Sequence, residues 1–96
     1  MPWKSTDTAQ RVELVAACRE LARRGLTYGT SGNISIRCDT QGFFISPTGA
    51  DYETLESEDI AFMDFDGRWY GRRRPSSEWR FHRDILAARE IGRAHV

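Results

Sequence analysis

The fold is decided by the stretch Ile34-Ser35-Ile36-Arg37-Cys38, the turn Asp39–Gly42 and the run Phe43-Phe44-Ile45. Apolar and polar residues alternate in the first part, which is the period-two pattern of a strand with one buried face. The second apolar run is short, and the turn Ser46-Pro47-Thr48-Gly49 stops it. We expect these two strands to form a hairpin.

The residues after the hairpin predict further strands. A single helical turn is expected over Leu55–Asp59, followed by a third strand over Ile60–Phe65 that Asp66-Gly67 closes. A fourth strand is expected to begin at Trp69. The sheet is therefore built by neighbouring strands rather than by the regular strand–helix alternation of a doubly wound fold.

Two helices flank this sheet in the sequence. The first ends at Gly25, which suits a left-handed C-terminal cap, and one face of it carries Leu14, Val15, Cys18, Leu21 and Ala22. The second begins after Pro75 with Ser76 or Ser77 as its cap, and its apolar positions are Phe81, Ile85, Leu86 and Ala88. Trp79 and Phe81 are expected in the core. The result is an α/β layer.

Composition bounds the function classes. The 96 residues carry 14 basic and 14 acidic side chains with 40% hydrophobic residues, which is typical of one domain. A neutral chain argues against general binding to nucleic acid or to an anionic membrane, because both need an excess of Lys and Arg. No apolar run reaches the roughly 20 residues of a membrane span, and the N-terminus lacks a signal-peptide core. We expect a cytoplasmic protein in which Cys18 and Cys38 are buried thiols.

Three loops rich in glycine and hydroxyl groups are candidates for a binding site: Gly29–Asn33, Ser46–Gly49 and the pair Ser76-Ser77. Backbone N–H groups, hydroxyls and a helix N-terminus together favour an anion such as phosphate. The alternative from composition alone is three ordinary turns with a helix cap.

Two titratable residues follow at the start of the second helix. Glu78 is either a surface carboxylate near a helix N-terminus or a general acid/base beside the anion site. His82 lies one turn further on the same face. A single histidine without a second ligand at metal-binding spacing is expected to be packed or hydrogen-bonded rather than a metal ligand.

Several motifs resemble the N-terminal half of the class II aldolase/adducin family. They are Gly32-Asn33-Ile34-Ser35-Ile36-Arg37, Ile45-Ser46-Pro47-Thr48-Gly49, Leu55–Ile60 and Pro75-Ser76-Ser77-Glu78-Trp79-Arg80-Phe81-His82. They occur in order from about Arg11 to Arg89, and the Ser-Ser-Glu-Trp form is similar to the L-fuculose-1-phosphate aldolase branch. The resemblance implies a three-layer α/β/α fold with a largely antiparallel sheet and a homotetramer with active sites at subunit interfaces.

The resemblance also implies residue roles. Asn33, Thr48, Gly49, Ser76 and Ser77 match the positions that bind the substrate phosphate in the family. Glu78 matches the acid/base that moves the proton on the enediolate carbon. In the family a divalent metal, usually zinc, stabilises that enediolate as a Lewis acid. The small-molecule partner would be a sugar phosphate.

The metal ligands are where this sequence departs from the family. The family carries a His-x-His strand shortly after this helix and a third histidine much further on. Here His82 matches a position that is not a ligand, and His95 is followed only by Val96. No residue of these 96 is therefore assigned to the metal, and the family's ligands give this chain no means of binding zinc.

We interpret residues 1–89 as the N-terminal part of such a domain and residues 90–96 as an artefact. The segment Glu90–Val96 resembles the in-frame translation of a common sequencing-library adapter. The expected parent is an aldehyde-lyase that cleaves a sugar 1-phosphate to dihydroxyacetone phosphate and an aldehyde, while the 96 residues alone are expected to be inactive. The alternatives are a ribulose-phosphate epimerase, a methylthioribulose-phosphate dehydratase and a non-catalytic adducin-like interaction domain.

Overall fold

The structure, a computed structural model, describes residues 8–25, 33–38, 42–89 and 93–95. Within these ranges two α-helices, five strands and two short 3-10 helices follow one another. In chain order they are α1 Thr8–Arg23, β1 Ile34–Arg37, β2 Gly42–Ile45, the 3-10 helices Tyr52–Thr54 and Ser57–Asp59, β3 Ala61–Asp64, β4 Trp69–Tyr70, α2 Trp79–Arg89 and β5 Arg93–His95.

The predicted hairpin is confirmed. β1 and β2 pair antiparallel with Ser35 opposite Ile45, and β3 pairs antiparallel with β2, with Phe62 opposite Phe44. The sheet has the order β4-β3-β2-β1-β5, and every neighbouring pair is antiparallel. This is the largely antiparallel sheet that the sequence predicts.

β5 lies within the segment that we interpret as adapter sequence. It pairs antiparallel with β1, and Ala94 lies opposite Ser35. Because the adapter interpretation concerns the coding DNA, it stays a prediction, as does the domain boundary at residue 89.

α1 packs as its periodicity predicts. Leu14, Val15 and Cys18 are buried, and Leu21 and Ala22 pack partly buried against the same cluster. Gly25 has φ +67°, and its N–H donates to the carbonyl of the last turn at 3.1 Å. A residue with this left-handed φ suits the end of a helix, so the predicted cap is confirmed.

Two expectations are wrong in detail. The single helical turn expected over Leu55–Asp59 is one of two 3-10 helices: Tyr52–Thr54 precedes Leu55, and Ser57–Asp59 falls within the expected range. The first begins early because the Asp51 carboxylate accepts a hydrogen bond from the Glu53 N–H at 3.0 Å. Phe81 is 61% exposed rather than in the core, because α2 turns the adjacent stripe, with Leu86 at its centre, towards the sheet.

The sheet separates two apolar clusters, which confirms the three-layer α/β/α arrangement. One cluster joins α1 and the 3-10 helices to one face of the sheet, and it contains Leu14, Val15, Cys18, Ile34, Ile36, Phe44, Ala50, Tyr52, Leu55, Ile60 and Phe62. The other joins α2 to the opposite face through Phe43, Ile45, Ala61, Met63 and Leu86. Within the described ranges, no helix combines the length and the apolar character needed to cross a membrane.

Candidate anion-binding site

Two of the candidate loops meet at Ser46, whose side chain is fully buried. The Ser46 N–H donates to the Ile34 carbonyl at 3.0 Å, and the Ile34 N–H donates to Ser46 Oγ at 3.1 Å. Asn33 directly precedes Ile34, so these bonds fix it beside the start of the Ser46–Gly49 turn. Residues 29–32 of its loop lie outside the described residues.

The third candidate loop pairs with the same turn. The Ser76 N–H donates to the Ser46 carbonyl at 2.9 Å, and the Thr48 N–H donates to the Arg74 carbonyl at 3.0 Å. These bonds form an antiparallel bridge between Pro47 and Pro75. Ser76 therefore lies opposite Ser46 and Thr48 opposite Arg74, so Ser46 joins the start of β1 to the segment that leads into α2.

Ser76 is the residue that caps α2. Its hydroxyl oxygen accepts from the Glu78 N–H at 3.2 Å, and its carbonyl accepts from the Trp79 N–H at 3.1 Å. Ser76 is buried, whereas Ser77 is exposed. Among the described residues the Ser77 N–H has no hydrogen-bond partner. A free N–H group at a helix N-terminus carries the partial positive charge that attracts an anion.

Gly49 leaves the backbone of the Ser46–Gly49 turn accessible to a ligand. Its φ is +64°, a conformation that favours glycine, and no atom lies within 4 Å of the position that a Cβ would take. Thr48 beside it is exposed. A ligand can thus approach the backbone of this turn closely.

Glu78 follows Ser77 directly and is half-buried. Its backbone is held by the Ser76 hydroxyl, which fixes where the side chain begins. Within the described part of the chain, its carboxylate forms no hydrogen bond or ion pair. This leaves the carboxylate available to exchange a proton with a bound molecule.

His82 is buried behind these loops and is hydrogen-bonded, as the sequence predicts. Its Nδ1 lies 2.6 Å from Ser35 Oγ, and its Nε2 is bonded to Asn33 Oδ1. Asn33, the residue before β1, and Ser35 on β1 are two residues apart, and His82 on α2 contacts both side chains. The candidate phosphate ligand Asn33 is therefore held by the helix that carries Ser76, Ser77 and Glu78.

Positive charge lies close to the cap of α2. Arg72 donates to Asp59 Oδ1 at 2.5 Å, while Arg73 and Arg74 are exposed. Burial raises the pKa of Asp59, but the hydrogen bonds from Arg72 and from the Glu56 N–H, together with the charges of Arg72 and Arg73, outweigh burial and hold that pKa below its ordinary value. Arg72 is thus committed to this carboxylate, and the charge of Arg73 also acts on it.

A buried polar contact supports Ser46 from the side of α1. The Tyr52 hydroxyl donates to Ser46 Oγ at 3.0 Å, and burial raises the pKa of Tyr52 to about 12. Burial likewise raises the pKa of the Cys18 thiol, which is hydrogen-bonded to Tyr52, to about 12. Both groups are therefore neutral at neutral pH. The Cys18 thiol is buried as expected, whereas the Cys38 thiol is only half-buried, so the expectation of burial is wrong for Cys38.

Sequence reasoning placed Ser46 in a candidate loop without a role of its own, and it did not assign Ser35 or Tyr52 to the site. A signal for Ser35 exists, because a period-two strand places it on the face opposite Ile34 and Ile36. The contacts of Ser46 and Tyr52 depend on tertiary pairing and have no local signature. The roles of Asn33, Thr48, Gly49, Ser76, Ser77 and Glu78 remain predictions that rest on this shared placement.

The described residues do not fit the metal that the fold family implies. No three His, Cys, Asp or Glu side chains among them come close enough together to hold an ion. Both ring nitrogens of His82 are taken by Ser35 and Asn33, so that imidazole is not available as a ligand.

Comparison with known proteins identifies relatives of this chain. The sequence profile of the Class II Aldolase and Adducin N-terminal domain matches residues 12–95. A 5-methylthioribulose-1-phosphate/5-deoxyribulose-1-phosphate aldolase of Rhodospirillum rubrum is 48% identical over 81 residues, 84% of this chain and 36% of the relative. The L-fuculose phosphate aldolase of Escherichia coli is 40% identical over 84 residues, 88% of this chain and 39% of the relative.

A solved structure supports the fold directly. An L-fuculose 1-phosphate aldolase superposes with a TM-score of 0.81 at 35% sequence identity, covering 94% of this chain and 43% of the aldolase. The chain spans about two fifths of the length of the relatives that it matches.

Proposed function

This chain belongs to the class II aldolase and adducin family, and we propose that it is the N-terminal part of an aldolase that cleaves a ketose 1-phosphate. The products would be dihydroxyacetone phosphate and an aldehyde, and the reaction would be reversible. One observation carries the proposal. Ser46 is hydrogen-bonded both to Ile34, the residue after Asn33, and to Ser76, and Glu78 follows Ser76 and Ser77 at the N-terminus of α2.

The substrate class follows from the relatives and from chemistry. One relative is named for two ribulose 1-phosphates and others for fuculose phosphate. Breaking the bond between C3 and C4 of a 2-ketose 1-phosphate leaves the phosphate on a three-carbon ketone, which is dihydroxyacetone phosphate. One phosphate site therefore serves all these sugars, while the aldehyde part is free to vary.

In the proposed reaction, different residues of this chain bind the phosphate and transfer the proton. We infer that Ser76, Ser77, Thr48, Gly49 and Asn33 hold the phosphate through hydroxyl, amide and backbone donors. These contacts fix the three-carbon unit, so that its reacting carbon lies near the carboxylate that follows them in sequence.

Glu78 is the proposed acid/base. In the direction of cleavage its carboxylic acid returns a proton to the enediolate carbon, and in the direction of synthesis its carboxylate removes that proton. The absence of a salt bridge within the described residues leaves the carboxylate free for both roles.

We further propose that the whole protein depends on zinc or another divalent metal, whose ligands come from outside the described residues. When bound, such an ion stabilises the negative charge of the enediolate. A cytoplasmic homotetramer is proposed on family membership alone.

Three other functions remain candidates for the same scaffold. A ribulose-phosphate epimerase and a methylthioribulose-phosphate dehydratase would use the same phosphate site, and an adducin-like domain would bind a protein instead. Glu78 favours the aldolase over the epimerase, for which we expect Asp at this position. The donors gathered around Ser46 favour an enzyme over a purely structural domain.

The test begins with the coding sequence downstream of Arg89, recovered without adapter read-through. The whole protein is then assayed for dihydroxyacetone phosphate released from L-fuculose 1-phosphate and from 5-methylthioribulose 1-phosphate. We expect turnover of at least one of them, and we expect Glu78→Gln to lower kcat by about a thousandfold. Glu53→Gln changes an exposed carboxylate on the first 3-10 helix and serves as the matched control.

Each alternative predicts a different result. Epimerised product without dihydroxyacetone phosphate would identify the epimerase, and loss of water from methylthioribulose 1-phosphate would identify the dehydratase. No turnover of any sugar phosphate would favour the interaction domain. The 96 residues alone are expected to bind phosphate weakly and to release no product, because no residue among them is assigned to the metal.

A further inference from the structure

His82 is a fully buried polar residue between α2 and the sheet. Its side chain has no exposed area, and it lies four residues after Glu78 and four before Leu86. These three residues share one stripe of α2. Leu86 packs in the apolar cluster between α2 and the sheet. The polar ring of His82 therefore occupies a position where another apolar side chain would fit.

The proton positions on the ring follow from its two partners. The Asn33 side-chain oxygen only accepts hydrogen bonds, so the His82 Nε2 bonded to it carries the hydrogen. In a neutral imidazole the other nitrogen is then an acceptor, and the Ser35 hydroxyl donates to His82 Nδ1. The contact with the Asn33 oxygen selects this tautomer, and the Ser35 hydroxyl, which can donate or accept, is compatible with it.

The same bond fixes how the Asn33 amide is turned. Because its oxygen is taken by His82, its NH₂ group is the part that remains to bind something else. Asn33 is 7% exposed and makes no other side-chain hydrogen bond within the described residues. The reverse orientation would present an oxygen to the anion site and repel a phosphate.

We propose that His82 is a positioning residue for the anion site, which holds the Asn33 amide with its NH₂ group presented to the phosphate. The inference rests on the proposed function, since it assumes that the anion binds at these loops. His82 also joins the two parts of the site. Asn33 belongs to the start of β1, Ser76 and Ser77 to the start of α2, and the His82 ring connects them through the core.

Two substitutions separate the two hydrogen bonds of the ring. In His82→Gln the amide nitrogen of the new glutamine is separated from Cα by as many bonds as Nε2 of the original histidine. The variant therefore keeps a donor for Asn33, but Ser35 loses its partner. In His82→Asn the amide oxygen of the new asparagine is separated from Cα by as many bonds as Nδ1 of the original histidine. The variant therefore keeps an acceptor for Ser35, but the bond to Asn33 is lost. Each variant breaks one buried hydrogen bond, so the two form a matched pair.

The measurement is the Kd of the 96-residue chain for inorganic phosphate, followed by the side-chain amide signals of Asn33 in NMR spectra. We expect His82→Asn to weaken phosphate binding by about tenfold, the effect of one hydrogen bond. We expect His82→Gln to remain within about threefold of the unsubstituted chain. Both variants should lower the melting temperature by similar amounts. Equal weakening of phosphate binding by both would overturn the inference, because a purely structural role predicts it.

A second measurement needs no substitution. The ¹⁵N shifts of the His82 ring should show a hydrogen on Nε2 and none on Nδ1, and a hydrogen on Nδ1 would contradict the inference. Ser77→Ala separates the inference from the proposed function. It should weaken phosphate binding and leave the His82 shifts unchanged. If the unsubstituted chain does not bind phosphate, the anion site and the role of His82 are both wrong, whereas equal effects of the two His82 variants refute only the latter.

Discussion

The two faces of the sheet bury different kinds of side chain. Towards α1 the strand residues Ile34, Ile36, Phe44 and Phe62 belong to one large apolar cluster. Towards α2 the apolar cluster is smaller, and β1 presents Ser35 to a buried histidine instead of an apolar side chain. A helix covers each face, and the helix on the α2 side contributes a buried polar ring, His82, to the core.

This difference indicates what each face contributes. A buried polar group costs free energy unless it is hydrogen-bonded, and on the α2 face Ser35, His82 and Asn33 are all paired with one another. Apolar side chains of similar volume would stabilise the fold at least as well. We therefore assign most of the stability to the α1 face and the geometry of the anion site to the α2 face.

The largest expected effect comes from two adjacent phenylalanines on opposite faces. Phe43 and Phe44 are both fully buried, Phe44 towards α1 and Phe43 towards α2. Phe44→Ala should lower the free energy of unfolding by about 4 kcal/mol, and Phe43→Ala by about 3 kcal/mol, through lost burial and the cavities left behind. Urea unfolding of the two variants measures both values.

The same pair separates stability from binding. Phe43 packs in the cluster that seats α2, so Phe43→Ala should also weaken phosphate binding, whereas Phe44→Ala should leave the Kd unchanged in the folded protein. Val12→Ala, on the exposed side of α1, is the control and should change stability by less than about 0.5 kcal/mol. Equal effects of the two phenylalanine variants on phosphate binding would remove the distinction between the faces.

Local pattern was sufficient to predict the layers of the fold. Alternation over Ile34–Cys38 gives both strand and buried face, and the i, i+3, i+4 spacing of Leu14, Val15 and Cys18 gives the buried side of α1. The pattern failed at Phe81, because two apolar stripes run side by side on α2 and the sequence does not say which one meets the sheet. In the folded protein, the stripe that contains Leu86 packs against the sheet.

The candidate site was likewise predictable from the sequence only in part. Loop chemistry and the family resemblance pointed to Asn33, Thr48 and Ser76, and the structure gathers their segments around Ser46. Nothing local announced Ser46 as the common partner, because its hydrogen bonds reach residues 12 and 30 positions away. The contact of His82 with Asn33 spans 49 positions and was equally hidden.

A second prediction concerns the buried carboxylate that lies outside the α2 face. Asp59 ends the 3-10 helix beside α1, accepts from the Glu56 N–H at 3.0 Å and pairs with Arg72, which leads towards the cap of α2. Asp59→Asn should lower the free energy of unfolding at pH 7 by about 1.5 kcal/mol, the value of a charge-assisted hydrogen bond reduced by the exposure of Arg72.

The pH dependence follows from the lowered pKa of Asp59. A carboxyl group with a folded-state pKa below its unfolded value stabilises the protein above the unfolded pKa, about 4, and that contribution is lost as the pH falls through the folded pKa. The stability difference between the unsubstituted chain and Asp59→Asn should therefore be complete at pH 7 and shrink below pH 4. The matched control Glu58→Gln alters the exposed neighbour. A difference that stays constant down to pH 2 would contradict the role of the charge.

The smallest expected effect tests the contact between the α1 cluster and Ser46. Tyr52 packs in the α1 cluster, but its hydroxyl donates to Ser46 Oγ, which also accepts from the Ile34 N–H. Tyr52→Phe keeps the ring and removes the donor, so stability should fall by only about 1 kcal/mol. Because Ser46 retains its backbone bonds to Ile34 and Ser76, phosphate binding should weaken no more than about threefold. If Tyr52→Phe weakened phosphate binding as much as His82→Asn, the anion site would depend on both faces of the sheet.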